Sequence, residues 1–187
     1  MPDREKALRS KNLLLQPILP AHARLLFEQL QAPELYTFIP RDPPKSVAAL
    51  AARYKKLSKR TSPDGSEVWL NYAIFNPRQG VYLGTAQATC LRSATAFIAY
   101  EVFPHLRRRG VATEACATMI AELFLREKVE VVNALVDTRN EASWRLLETL
   151  GFRRKETLVG ADHFKGASSD EYRYELDIGG WKRGQRA

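Results

Sequence analysis

From the amino terminus onward, apolar and polar positions alternate between short extended runs and longer amphipathic ones. The compact apolar run "NLLLQPIL" (12–19) predicts a first strand. In "PAHARLLFEQLQAPEL" (20–35), Pro20 suits a first helical turn and Leu25, Leu26 and Leu30 form an apolar stripe. A second helix is predicted in "PKSVAALAARYKKLSKR" (44–60), with Ser46 as N-cap and a basic end that complements the helix dipole. After the turn signal "SPDGS", three β-type runs cover 67–76, 80–91 and 95–103, and the short links "PRQG" and "RSA" make them an antiparallel meander. "GVATEACATMIAELFLREK" (110–128) predicts a helix with Ala112, Ala115, Met119 and Leu123 on one side, and "VEVVNALVD" (129–137) a buried strand. "NEASWRLLETL" is a short helix stopped by Gly151, and 152–160 and 170–178 read as a last pair of strands. The order β α α β β β α β α β β is that of a mixed α/β domain, with no internal repeat.

Composition narrows the class. With 187 residues, 45% hydrophobic and 27% charged, the chain can bury a core without disulfide or metal staples. No apolar stretch approaches the roughly 20 residues that span a bilayer, and "MPDREKALRSK" has no apolar signal region. The cytoplasm is therefore the expected compartment, with no membrane partner. Cys90 and Cys116 lie in apolar segments without a CxxC pair or flanking histidines, so two reduced core thiols and no metal are expected.

The net charge of +8 is concentrated at the ends. Residues 1–11 contribute +2 and 179–187 contribute +3, which leaves +3 for the body. This reads as a polar basic N-terminal tail (1–11), one domain (12–177) and a basic C-terminal tail (178–187). No basic stripe is interleaved with aromatics and no zinc finger is present, so nucleic acid is not an expected partner.

The informative charge lies in "HLRRRGVATEA" (105–115), where a strand hands over to a helix. A helix start offers unpaired N–H groups and the positive end of the dipole to an anion. Gly110 lets the anion approach, Ala112 and Thr113 keep the first turn slim, and Arg107, Arg108 and Arg109 add charge at the rim. The plain alternative is a wet turn. Neither a GxxxxGK loop nor a GxGxxG after a strand is present, so the anion need not be a nucleotide triphosphate.

These residues resemble the GNAT superfamily of acetyl-CoA-dependent N-acetyltransferases. Arg107-Arg108-Arg109-Gly110-Val111-Ala112 matches that family's pyrophosphate loop, Gln/Arg-x-x-Gly-x-Gly/Ala, between a strand and a helix. "RNEASWRLLETLGF" (139–152) is similar to its second signature, an Asn, a small residue three later and a closing "LGF". The "RNEAS" stretch, "ATEA" (112–115) and the late Lys165, Gly166 and Asp170 resemble the branch that includes ribosomal-protein N-terminal acetyltransferases. The resemblance implies a single-domain α/β GNAT-like fold, with a mixed central sheet of about seven strands flanked by about four helices. It also implies acetyl-CoA as co-substrate and direct attack of a primary amine on the thioester. The backbone of Arg108 to Thr113 would hold the pyrophosphate, and Val102 and Phe103 would run beside the pantetheine. Asn140 occupies the family's position for a further pantetheine contact, and it equally suits a plain helix N-cap.

Glu101 is the first candidate for the base that deprotonates the amine. Strand alternation puts it on one face with Phe97, Ala99 and Phe103, where it is either turned to solvent or set beside the cofactor. Glu114 complements the dipole of the helix that follows, His105 is a solvated loop residue, and His22 carries no supporting pattern. Many family members carry a tyrosine as acid at the position of Leu147. Its absence leaves the hydroxyl of Ser143, one turn on from Asn140, as the candidate acid, against a role in helix packing.

The acceptor should enter near "LYTFIPRDPP" (35–44) and "ADHFKGASSDEY" (161–172), with Tyr36, Phe38, Trp69 and His163 lining a pocket. Protein N-termini and small-molecule amines both remain open as acceptors, as does self-association into a homodimer. The rival function is a non-catalytic acyl-CoA-binding module of the same fold.

Overall fold

The computed structural model describes residues 6–184. Eight strands form one sheet in the order β1-β2-β3-β4-β5-β6-β8-β7. They are β1 (Leu8–Arg9), β2 (Leu14–Pro17), β3 (Glu67–Asn76), β4 (Val81–Leu91), β5 (Thr95–Val102), β6 (Val131–Asp137), β7 (Arg153–Phe164) and β8 (Ala167–Asp177). Five helices accompany them: α1 (His22–Leu26), α2 (Val47–Leu57), α3 (Val111–Leu125), α4 (Glu141–Thr149) and α5 (Ile178–Gly184). The count exceeds the expected seven strands and four helices because both ends of the described chain join the fold. Leu8–Arg9 pairs with β2, and Ile178–Gly184 is helical. Residues 1–5 and 185–187 of the expected tails lie outside the described residues.

The meander β3-β4-β5 forms as its alternation predicts, with every pairing antiparallel. Partners across an antiparallel ladder share a face. One face therefore carries Tyr72, Ala86 and Tyr100, while the other carries Ala73, Thr85 and Glu101, and beside them Asn71, Gln87 and Ala99. The first face is covered by α3 and α4, where Ala115, Met119, Leu123 and Leu147 are buried. The second lies under α2, whose Ser46 cap accepts from the Ala49 N–H at 3.1 Å and whose Leu50 and Tyr54 are buried.

Two expectations change. The helix predicted over 20–35 ends at Leu26 and continues as two 3₁₀ turns, Gln29–Gln31 and Pro33–Leu35, separated at Ala32, which is extended as a residue before proline prefers. Leu25, expected in the apolar stripe, is 57% exposed. The stretch 161–172, expected as an acceptor loop, is strand: β7 and β8 form one long hairpin that turns at Lys165 and Gly166, both with positive φ. Cys90 and Cys116 are buried and neither forms a disulfide. Among the described residues, no helix is long and apolar enough to cross a membrane.

One irregularity positions the site. β5 and β6 are parallel but pair only over Thr95–Phe97 with Val131–Asn133. Beyond that rung, β5 runs on to Val102 and β6 to Asp137 without pairing to each other, so a wedge opens toward their C-terminal ends. The starts of α3 and α4 follow those same two strand ends.

Candidate active site

The first wall of the wedge is the passage from β5 into α3. The Phe103 N–H donates to the Leu83 carbonyl at 3.0 Å and ends the strand, and a 3₁₀ turn over Pro104–Leu106 reverses the chain. Arg108 and Gly110 then adopt left-handed backbone, with φ of 61° and 75°. Gly110 is the N-cap of α3 and no side chain caps the helix. Among the described residues, the backbone N–H groups of Arg108 to Thr113 reach no protein acceptor. A Cβ on Gly110 would meet nothing within 4 Å, so the space before these donors is open. Arg107, Arg108 and Arg109 are exposed, and Arg107 also donates to the Glu34 carbonyl at 3.2 Å.

Glu114, in the first turn, is engaged elsewhere. It accepts from Ser10 Oγ (2.6 Å), Asn12 N (2.7 Å) and Asn12 Nδ2 (3.0 Å), which ties the N-terminal segment to α3. Burial pushes its carboxyl up, and these hydrogen bonds outweigh that and hold it below its ordinary value.

The second wall is the passage from β6 into α4. Asp137 is buried and accepts from Arg139 N (2.8 Å), Arg139 Nε (2.9 Å), Arg139 Nη2 (2.5 Å) and Ser169 Oγ (2.7 Å). The hydrogen-bonded Arg139 side chain is the chief reason that its carboxyl is held down at about 2. Asn140 caps α4, its Oδ1 accepting from Ser143 N at 3.3 Å. Ser143 Oγ lies 2.9 Å from the hydroxyl of Tyr100, which also donates to the Ser143 carbonyl at 3.2 Å. Burial pushes the Tyr100 phenol far above its usual value, so it stays protonated. Leu147 is 1% exposed and serves the core. Where the strands part, Asn133 is 4% exposed and its Oδ1 has no hydrogen-bond partner among the described residues.

On the opposite face of β5 a cavity of about 310 Å³ lies between the sheet, α2 and residues 36–45. Glu101 lines it, as the alternation of β5 predicts, and is ion-paired with the Arg41 guanidinium. Arg41 sits over the Tyr36 ring, 5.7 Å from its centroid. Burial, then the charge of nearby Arg53, lowers the Arg41 guanidinium below its ordinary value. Tyr36 is buried in the wall and donates to the Leu30 carbonyl at 2.8 Å. Lys165, at the tip of the β7–β8 hairpin, donates to the Tyr36 carbonyl, so the hairpin closes on the loop that carries Arg41.

Of the four residues expected around the acceptor, only Tyr36 lines this cavity. Trp69 belongs to a separate hollow with Lys56, Lys59 and Pro63, and its Nε1 donates to Glu67 at 2.7 Å. The period-two pattern of β3 places Trp69 on the cavity face but too far toward the start of the strand. His163 is exposed on β7 opposite Ser168, and Phe38 is half-buried outside the lining. His105 is exposed, and buried His22 accepts from Leu19 N at 2.9 Å.

Tyr100, Arg41, Arg53 and Tyr54 were not singled out from the sequence. The spacing of Leu50 and Tyr54 on α2 carries a signal for Tyr54, and the parity of β5 carries one for Tyr100. The two arginines carry none, because only the docking of α2 and its preceding loop brings them to Glu101.

The profile of the "Acetyltransferase (GNAT) domain" family matches residues 12–153. A comparison with curated proteins finds no match. Among solved structures, the chain is similar to a GCN5-related N-acetyltransferase from Brucella melitensis, at 21% identity and a TM-score of 0.82, covering 99% of this chain and 84% of that one. It is also similar to Mycobacterium smegmatis RimJ in complex with CoA-disulfide (20% identity, TM-score 0.79, covering 93% and 87%). A third similar structure is the ribosomal-protein-S5-alanine acetyltransferase from Vibrio fischeri (15% identity, TM-score 0.80, covering 94% and 98%).

Proposed function

The chain belongs to the GNAT acetyltransferase family, acyltransferases that use acetyl-CoA, and from that premise we propose that it moves an acetyl group to a primary amine by direct attack. The observation that carries this reading is the wedge between β5 and β6, with unused donors at its mouth and the cavity of Glu101 against the same strand.

The residues present fit acetyl-CoA. A row of unbonded N–H groups from Arg108 to Thr113, at the positive end of a fifteen-residue helix and flanked by exposed arginines, suits a pyrophosphate. The parted edges beside Val102 and Phe103 can take an extended amide chain as an added strand. Asn140 already caps α4, and a pantetheine contact would add to that role.

When bound, acetyl-CoA supplies an activated acetyl thioester. The chain must then deprotonate the amine and stabilise the leaving sulfur. Glu101 reaches into the acceptor cavity from β5 and takes the proton once the ammonium displaces Arg41 from its carboxylate. Ser143 supplies a hydroxyl on the other side of β5, oriented by the always-protonated Tyr100 phenol.

Acetyl-CoA consumption measured against a panel of primary amines tests this. Binding to the folded state alone should raise the thermal midpoint, each tenfold step in ligand above Kd adding about 1.4 kcal/mol. Gly110→Asp places bulk and a like charge before the donor row and should abolish that shift. No shift at millimolar acetyl-CoA in the unmodified protein would remove the reading.

A further inference from the structure

The wall of the acceptor cavity carries more donors than the protein itself uses. Tyr54 is 4% exposed and lines the cavity, yet its hydroxyl makes no hydrogen bond among the described residues. A donor that opens onto a cavity is met by water until a ligand oxygen replaces it. Arg53, one residue earlier on α2, also lines the cavity and forms no ion pair or hydrogen bond among the described residues. Arg41 completes the cluster. Burial, followed by the repulsion of Arg53, lowers its guanidinium, so the two cations face the same space at mutual cost. Arg41, Arg53 and the Tyr54 hydroxyl thus face one space, whose lining carboxylates are Glu101, already ion-paired with Arg41, and Asp42.

Resting on the proposed acetyl transfer, we infer that the cavity takes an amine acceptor that also bears a carboxylate, with the carboxylate on Arg53, Arg41 and the Tyr54 hydroxyl and the amine against Glu101. The Arg41–Glu101 ion pair has the same charge pattern as such a molecule. When a zwitterion enters, its ammonium replaces Arg41 on Glu101, and Arg41 is released to its carboxylate, so both charges of the ion pair stay matched. A polyamine would meet Arg41 and Arg53 as like charges. An amine without a carboxylate would give the Tyr54 hydroxyl and the Arg53 guanidinium no acceptor in the cavity. The volume, about 310 Å³, suits one or two amino-acid residues rather than a protein surface. Two sources present this chemistry, a free amino acid and a polypeptide whose first residue is Asp or Glu.

The test measures kcat/KM for CoA release at saturating acetyl-CoA with acceptors in matched pairs. One arm sets free amino acids against their amides, and the other sets peptides beginning with Glu or Asp against those beginning with Gln or Asn. The carboxylate member should be preferred by about 10-fold or more in at least one arm, as for a charge-assisted hydrogen bond. The arm that shows it identifies the source. Arg53→Ala should bring that ratio toward one, mainly through the acceptor's KM, and Tyr54→Phe should lower it in part. Lys55→Ala, an exposed neighbour outside the lining, should keep it. Equal or better turnover of the uncharged member in every pair, or a ratio that survives both Arg53→Ala and Tyr54→Phe, overturns the inference while acetyl transfer stands. If no amine in either arm consumes acetyl-CoA while another primary amine does, the inference fails and acetyl transfer stands; if no primary amine of the wider panel does, the proposed function fails and the inference falls with it.

Discussion

The hydroxyl of Tyr100 on β5 and Oγ of Ser143 on α4 lie 2.9 Å apart and link the two walls of the wedge. When the single Tyr100 proton turns from the Ser143 carbonyl to Ser143 Oγ, the Ser143 proton is left free to meet the charge that develops on sulfur. Ser143→Ala should therefore lower turnover on the order of 100-fold while acetyl-CoA affinity barely moves, the pattern of an interaction made in the transition state. Tyr100→Phe should cost less, and the double variant should fall short of the product of the two. Single-turnover rates separate this from packing, which would lower only the thermal midpoint.

Gly84 lets β4 approach β5 at the level of Glu101. The β3–β4 register slips between Ile74 and Phe75, and Gly84 takes a φ of 154° at which a Cβ would overlap the Glu101 carbonyl oxygen. Backbone cannot step aside as a side chain can. Gly84→Ala should cost about 2 kcal/mol or more in denaturant unfolding. Its residual folded fraction should also show reduced turnover, because β5 is displaced at the base.

Asp137 ties the β6–α4 turn through Arg139 and Ser169, and its carboxyl is lowered to about 2 from an ordinary 3.8. The native state thus binds fewer protons than the unfolded one between these values. The stabilisation, about 2 kcal/mol, is complete above pH 5 and is lost as pH falls toward 2. Asp137→Asn should lower stability at pH 7 by at least that amount, and the gap to the unmodified protein should close on titration to pH 2. Chemical denaturation across that range measures it.

These groups differ in how far the sequence announces them. Residues 67–76, 80–91 and 95–103 were legible as strands because one face is buried, and burial on one face imposes period two on the residue choice. The same parity put Glu101 on the side where the cavity lies. β7 escaped its true length because it is an edge strand with nearly every residue exposed, so no alternation marks it. β1 spans two residues, too few for a period. Ser143 and Gly110 were legible through local chemistry, a helix start and its cap. Arg41 and the meeting of Tyr100 with Ser143 were not, since the one depends on how a loop folds over α2 and the other on a parallel crossover that returns α4 to β5.

The ion pair of Arg41 with Glu101 sets the last expectation. Glu101→Gln keeps a carbonyl for Arg41 to bond and fits the same space, but it cannot take a proton from an ammonium. Turnover should fall on the order of 100-fold or more, with acetyl-CoA binding retained, because the cofactor donors lie on the β5–α3 passage and not in the cavity. Arg41→Gln acts in the other sense. Removing a cation from beside a carboxylate strengthens its hold on a proton, so the acid limb of the kcat/KM profile should move to higher pH. A purely structural pair would give a different result: both variants would lose thermal stability together, and neither would alter the shape of the pH profile. Profiles of kcat/KM from pH 5 to 9 for the unmodified protein and Arg41→Gln, with Glu101→Gln as the reference that lacks the base, decide between the two.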